Sequence, residues 1–143
     1  MVPSRYHNAY KHNEVTTSSQ GKLILMMYEG ASKFTTMAIR CMDDGDIAGK
    51  ATYIRKTHDI INELSVSLDL KKGGEVSARL ETLYQFVLRQ LTLANIKADR
   101  KALESILKVL SPLEDAWRQL LINPGLIAPN NKPQNLKKIT SRV

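Results

Sequence analysis

The sequence predicts an all-α protein: an antiparallel up-down four-helix bundle with an N-terminal docking segment and a flexible C-terminal tail. Three observations predict it. Apolar residues recur at steps of three and four along four stretches, turn signals separate these stretches, and no stretch alternates like a half-buried strand between hairpin turns. The 143 residues suffice for one domain with a core, and 7 Gly and 5 Pro are few for a loop-rich β protein. We expect the docking segment over 1–17, the bundle over 18–123 and the tail over 124–143.

The first predicted helix contains the most apolar stretch of the chain, Leu23–Phe34, and should end near Met42, before the turn signal Asp43–Asp46. Thr17, Ser18 and Ser19 are candidate N-caps. A second, thinner apolar stripe lies beside the main one, and it consists of Ile24, Tyr28, Thr35, Ile39 and Met42. Because a surface helix needs one apolar face, something must cover the second stripe.

The second predicted helix begins after the cap Asp46 and stops at Leu70–Gly74, where the lysines suit a C-terminal helix dipole and a glycine suits the stop. Its apolar stripe is Ile47, Ala51, Ile54, His58, Ile61, Leu64 and Leu68. His58 has no metal-binding partner at helical spacing, so we interpret it as a core or boundary residue. The third predicted helix runs from about Glu75 to Ala98, with the stripe Val76, Leu80, Leu83, Val87, Leu91 and Ala94.

The fourth predicted helix is capped by Asp99 and ends at Asn123–Gly125. Its stripe is Leu103, Ile106, Leu107, Leu110, Leu113, Trp117, Leu120 and Leu121. Pro112 lies in its middle, where a proline costs about 3 kcal/mol unless the helix kinks. Because Ser111–Glu114 also has the pattern of a capping box with proline at the first helical position, we expect a kink or a short break between two half-helices.

The motifs that would indicate catalysis or a cofactor do not occur. No zinc spacing, di-iron Glu-x-x-His pair, phosphate-binding glycine loop or nucleophile elbow is found, and Asp43, Asp44 and Asp46 lack the distal glutamate of a calcium loop. Cys41, the single cysteine, lies in the first helix stripe and is interpreted as a small buried hydrophobe. We expect no enzyme, no metal and no cofactor. No apolar run approaches a membrane span and no signal peptide precedes Thr17, so we expect a cytoplasmic protein.

The net charge of +7 is concentrated in the last twenty residues, which hold Lys132, Lys137, Lys138 and Arg142 and no acid. The body carries charges of both signs, so we expect no nucleic-acid partner, although a nucleic-acid-binding bundle that uses the basic tail remains an alternative.

Helices one and three carry more apolar positions than one bundle core uses. The excess could form a wide core, an interface in a homodimer or other self-associating structural bundle, or a groove for an amphipathic partner helix. Residues 1–17 are polar but contain Tyr6 and Tyr10, which suggests a segment that docks on such a groove and shields it until the partner binds.

Four groups of residues follow one another along about residues 9–121. They are Ala9–Thr17 running through Leu23–Gly30 to Lys33–Phe34; Ile60–Leu64 with Leu68–Asp69; Leu91 with Ala94–Lys97 and Asp99; and Asp115–Trp117. In this order they resemble the flagellar secretion chaperone FliS family. The resemblance implies a cytosolic four-helix bundle that binds the disordered C-terminal segment of flagellin, prevents premature polymerisation and keeps flagellin competent for flagellar type III secretion. Export-apparatus and regulatory proteins are further implied partners, and the N-terminal segment is implied to cover part of the flagellin-binding surface.

We predict ten partner-binding residues: Tyr10, Val15, Ile24, Met27, Tyr28, Ile61, Leu64, Tyr84, Leu91 and Asn95. Met27 and the three aliphatic residues from the second and third helices lie on main stripes, so packing the bundle is their alternative role. Ile24, Tyr28 and Tyr84 lie off the main stripes, which favours a contact with the partner. Asn95 could bond the partner's backbone or, alternatively, cap the third helix.

Overall fold

The computed structural model describes residues 17–123, and these form four helices with no strand among them. Helix α1 is Thr17–Asp43, α2 is Ile47–Val66, α3 is Leu70–Lys97 and α4 is Arg100–Ile122. Each helix runs antiparallel to the one before it, because the connections are two or three residues long. The predicted all-α bundle is confirmed, whereas the predictions for residues 1–16 and 124–143 lie outside the described residues.

The helices form a square in which α1 and α3 lie on one diagonal. Helix α1 packs against α2 and α4, and α3 packs against the same two helices. Glycines permit the close approaches of α1. A Cβ atom on Gly21 would lie 2.8 Å from Cδ2 of Leu121, and one on Gly30 would lie 3.3 Å from Cδ1 of Ile60. Small residues therefore let α1 sit tightly against both neighbours.

Both apolar stripes of α1 are covered by the bundle itself. Ala31 and Ala38 are buried, and so are Tyr28, Thr35 and Ile39 from the second stripe. A helix at the corner of a square has neighbours on two sides, so a double stripe is what its burial requires. The wide-core alternative thus accounts for much of the surplus apolar surface of this helix.

The turn between α1 and α2 is a Schellman motif, as the acidic turn signal indicated. Gly45 has a φ of 73°, and the backbone N–H of Asp46 donates to the carbonyl of Cys41 at 2.8 Å. The predicted N-cap Asp46 is confirmed, since its carboxylate accepts from the N–H of Gly49 at 2.9 Å. The start of α1 differs from the prediction, because the chain is already helical at Thr17. Ile47, predicted on the apolar stripe of the second helix, is the first residue of α2 and does not join the core, since it is 75% exposed.

The predicted stop of the second helix at Leu70–Gly74 is wrong. Helix α2 ends at Val66, and Asp69 caps α3 by accepting from the N–H groups of Lys71 and Lys72. The two lysines therefore lie at the positive end of a helix, not at the negative end. The double glycine does interrupt helical geometry, but within α3 and not at the end of α2. Gly74, with a φ of 54° and a ψ of −130°, is non-helical and kinks α3 after its first turn.

The cap Asp99 is confirmed. Of the two alternatives at Pro112, the short break is wrong, because α4 continues through the proline, and the kink stays a prediction. The predicted capping box does not form either. The carboxylate of Glu114 accepts instead from the hydroxyl of Ser32 on α1 at 3.1 Å, and Arg118 bridges Glu114 to Glu29 of α1. These contacts with α1 hold the part of α4 that follows the proline.

Candidate partner-binding groove

An open groove of about 320 Å³ lies between α2 and α3. Buried Ile54 and Leu91 form its floor. The remaining lining residues, on its walls and rim, are Ala51, Arg55 and His58 of α2 and Thr92, Asn95 and Ile96 of α3. At 1.5 Å per residue, the lining from Ala51 to His58 is about 10 Å long, or two helical turns. The groove therefore has the size to seat a short stretch of a partner segment.

Helical spacing brings the lining residues together. Steps of three and four along α2 place Ala51, Ile54, Arg55 and His58 on one face, and the same steps apply along α3. Ile96 remains 74% exposed at the rim. Because the floor is apolar and the isoleucine beside it is exposed, covering this surface would lower the free energy.

Lys50 fixes the backbone at one end of the groove. It is 7% exposed, and its Nζ donates to the backbone carbonyl of Asn95 at 3.1 Å. That carbonyl is in the last turn of α3, where a cation also interacts favourably with the helix dipole. Because Lys50 binds the backbone of Asn95, the exposed Asn95 side chain remains available for another partner.

The polar rim of the groove is basic. The exposed Arg55 has no carboxylate within 4.0 Å among residues 20–123, and none of the lining residues is acidic. The half-buried His58 is a boundary residue, as interpreted from the sequence, and its Nδ1 lies 3.0 Å from the amide nitrogen of Asn62. If that amide donates to Nδ1, the neutral ring carries its proton on Nε2 and can donate from there.

Two of the ten predicted binding residues line this groove, namely Leu91 on the floor and Asn95 on the rim. Ile24 is half-buried against the core. The other members within the described residues are buried in the core cluster: Met27, Tyr28, Ile61, Leu64 and Tyr84. Their burial favours the packing role, and their contact with a partner stays a prediction. Tyr10 and Val15 lie outside the described residues.

The two buried tyrosines form a polar centre in the core. Their hydroxyl oxygens lie 2.5 Å apart and share a hydrogen bond. Burial raises the pKa of Tyr28, and hydrogen bonds with Tyr84 and Trp117 offset part of that rise. Burial also raises the pKa of Tyr84, and the neighbouring Tyr28 adds to the rise. These shifts report a dry, satisfied core pair, not a group poised for proton transfer at neutral pH.

No group of three or more His, Cys, Asp or Glu residues that could hold a metal ion occurs within the described part of the chain. None of the helices described is both long and apolar enough to cross a membrane.

Comparison with known proteins identifies the family. A family model described as "Flagellar protein FliS" matches residues 2–124. The flagellar secretion chaperone FliS of Salmonella typhimurium is 33% identical over 116 residues, covering 80% of this chain and 86% of that protein. The chaperone of the same name from Bacillus subtilis is 33% identical over 121 residues, covering 85% and 90%. The one from Campylobacter jejuni is 34% identical over 114 residues, covering 80% and 89%. The chain belongs to the FliS family.

The FliS family assignment confirms the resemblance drawn from the four residue groups. One of these groups, Leu91 with Ala94–Lys97, contributes Leu91, Asn95 and Ile96 to the groove. The names of the family and of its members imply that the partner is a flagellar protein.

Sequence reasoning did not select most residues of the candidate groove. It did not select Arg55, Thr92 or Ile96 as binding residues. Ile96 carried a usable signal, since it is a large apolar residue off the main stripe of α3 and directly follows the selected Asn95. Arg55 carried none, because an arginine on an exposed helix face is ordinary and its place beside the groove depends on the packing of α2 against α3.

Proposed function

We propose that this FliS-family chain is a cytoplasmic export chaperone that binds the C-terminal segment of flagellin. By occupying that segment it would prevent premature polymerisation and keep flagellin competent for flagellar type III secretion. The observation that supports this function best is the coincidence of the groove with the Leu91 and Ala94–Lys97 group, one of the groups that carry the family resemblance. Export-apparatus and regulatory proteins are further proposed partners.

Binding would need no catalytic group. A partner segment that folds as an amphipathic helix can lay its apolar side on Ile54, Leu91 and Ile96 and gain about 25 cal/mol for each Å² of apolar surface that it buries. Ordering a disordered segment costs part of that gain, so the complex can form and still release its cargo for export. We propose that residues 1–16, with Tyr10 and Val15, cover part of the surface in the free chaperone.

Calorimetry with a peptide of the flagellin C-terminus from the same organism tests this function. We expect binding with a negative heat capacity change, as burial of apolar surface requires. Ile96→Asp should weaken it at least tenfold, because a carboxylate would replace apolar contact at the groove. Ile122→Asp is the matched control, since Ile122 is 76% exposed and outside the groove. Absence of binding at tens of micromolar peptide would overturn the proposal.

The same experiment separates the two alternative functions. A nucleic-acid-binding bundle would bind duplex or single-stranded DNA with an affinity that falls steeply with salt, and it would ignore the peptide. A self-associating structural bundle would sediment as an oligomer at the concentrations of the titration, with or without peptide.

Deletion of residues 1–16 tests the proposed cover. If these residues shield apolar surface in the free protein, the shortened chain should bind a hydrophobic dye more strongly and aggregate sooner than the full chain. Equal dye binding by both chains would contradict a shielding role.

A further inference from the structure

We propose that the groove between α2 and α3 selects a helical segment that carries a carboxylate, and that Arg55 and His58 bind this carboxylate. The inference rests on the proposed function and deepens it, since it states the chemistry that a bound segment must present. The occupant is an amphipathic helix with apolar anchors for the floor and an Asp or Glu on its edge nearest α2.

The charge of the groove lining carries the argument, since it is basic and lacks an acidic residue. Arg55 is exposed and lies at a groove with no acidic lining residue, and it has no ion pair within the part of the chain that the structure describes. Asp59, one turn away on α2, is in sequence reach of Arg55 but does not pair with it at 4.0 Å or less. A guanidinium beside an apolar floor attracts a carboxylate more strongly than one surrounded by water.

The spacing of the two basic groups suits one carboxylate. Arg55 and His58 are three residues apart, so both side chains lie on the same face of α2 and both line the groove. The planar fork of Arg55 can take both carboxylate oxygens, and the ring of His58 can donate one further hydrogen bond.

Lys56, the cation next to Arg55 on α2, contacts aromatic rings away from the groove. The Nζ atom of Lys56 lies over the rings of Phe34 and Tyr53, at 5.3 Å and 5.6 Å from their centroids. Phe34 belongs to α1, so Lys56 lies on the side of α2 that faces α1, whereas Arg55 lies on the side that faces α3. The two adjacent cations therefore provide a matched pair, one at the groove and one away from it.

The test is calorimetry of full-length protein with the flagellin C-terminal peptide at two salt concentrations. Arg55→Gln should weaken binding about threefold to tenfold, and the loss should shrink in high salt. Lys56→Gln, with the same change of charge on the same helix, should leave the dissociation constant within about twofold. Arg55→Glu should weaken binding further, and a peptide with one Asp or Glu replaced by Lys should restore it.

The possible results of the calorimetry separate the carboxylate proposal from the proposed chaperone function. Selective loss with Arg55→Gln and rescue by one charge-reversed peptide would support carboxylate recognition. A peptide that binds equally well to Arg55→Gln and Lys56→Gln would overturn the inference while leaving the proposed chaperone function intact. A peptide that binds to neither the natural protein nor its variants would overturn both. Circular dichroism of each variant confirms that the exposed substitutions leave the bundle folded.

Discussion

Tyr28 of α1 and Tyr84 of α3 share a hydrogen bond across the diagonal of the bundle, between two helices that do not otherwise approach each other closely. Both side chains are almost fully buried, at 0% and 2% exposure. The bond therefore satisfies two polar atoms that water cannot reach, and it links two diagonal helices whose backbones do not lie next to each other. A hydrogen bond of this kind fixes the relative position of α1 and α3.

We expect Tyr28→Phe and Tyr84→Phe each to lower the free energy of unfolding by about 1–3 kcal/mol. Tyr28→Phe leaves the buried hydroxyl of Tyr84 without its partner, and an unsatisfied buried group carries its full desolvation cost. Tyr84→Phe leaves the hydroxyl of Tyr28 its hydrogen bond with Trp117, so its loss should lie at the lower end of that range. Urea denaturation followed by circular dichroism measures the loss.

The double variant provides the control. Removing both hydroxyls leaves neither tyrosine with an orphaned hydroxyl, so the double variant should lose clearly less than the sum of the two single losses. Strict additivity would contradict a direct interaction. Phe34→Leu, on the half-buried face of α1, supplies a reference for changes of an aromatic residue that do not touch this pair.

The same pair predicts instability at high pH. Burial holds the pKa of both hydroxyls above the ordinary value of 10.0 in the folded state. As the pH rises past about 10, the unfolded chain releases these protons first, so the unfolded state binds fewer protons and the stability falls with pH. Thermal denaturation from pH 8 to 11 should show a steeper loss above pH 10 for the natural protein than for the double Phe variant. Parallel curves would contradict the prediction.

The helices could be predicted because their signals are local. Periodicity predicted four amphipathic stretches. Aspartate is a strong N-cap wherever it precedes such a stretch, as Asp46 and Asp99 do. The boundary near Leu70–Gly74 was predicted wrongly, because two glycines resemble a helix stop and the N-cap Asp69 was overlooked, although it is the same local signal as Asp46 and Asp99.

The candidate groove could be predicted only in part, because it depends on packing. Tyr28 and Tyr84 lie off the main stripes of their helices, which suggested an outward role. In a square bundle, however, each helix has two neighbours, and an off-stripe position can face the centre. Asn95 was selected by resemblance and does lie at the groove, while Arg55 becomes a candidate only once α2 and α3 are placed side by side.

Pro112 should weaken α4 even though the helix continues through it. A proline in a helix interior removes the backbone bond to the carbonyl four residues earlier, here that of Lys108, and costs about 3 kcal/mol relative to alanine. Because Pro112 is exposed, Pro112→Ala should raise the free energy of unfolding by about 1–3 kcal/mol without altering the core. Ser111→Ala, at the adjacent exposed position, should change it by less than about 0.5 kcal/mol. A destabilised Pro112→Ala variant would contradict this view of the fourth helix.

Replacing Ala98, at the end of α3, by glycine should stabilise the protein. It adopts a φ of 51° and a ψ of 44°, the left-handed conformation that disfavours any residue with a Cβ atom. We therefore expect Ala98→Gly to raise the free energy of unfolding by about 0.5–1 kcal/mol, measured by urea denaturation. Ala116→Gly is the matched control, since Ala116 is exposed inside α4 and glycine there should lower stability by about 1 kcal/mol. Opposite signs for the same substitution would show that the backbone conformation, and not the loss of a methyl group, determines the effect. If both variants lost stability equally, the left-handed cap would not be the state of this helix end in solution.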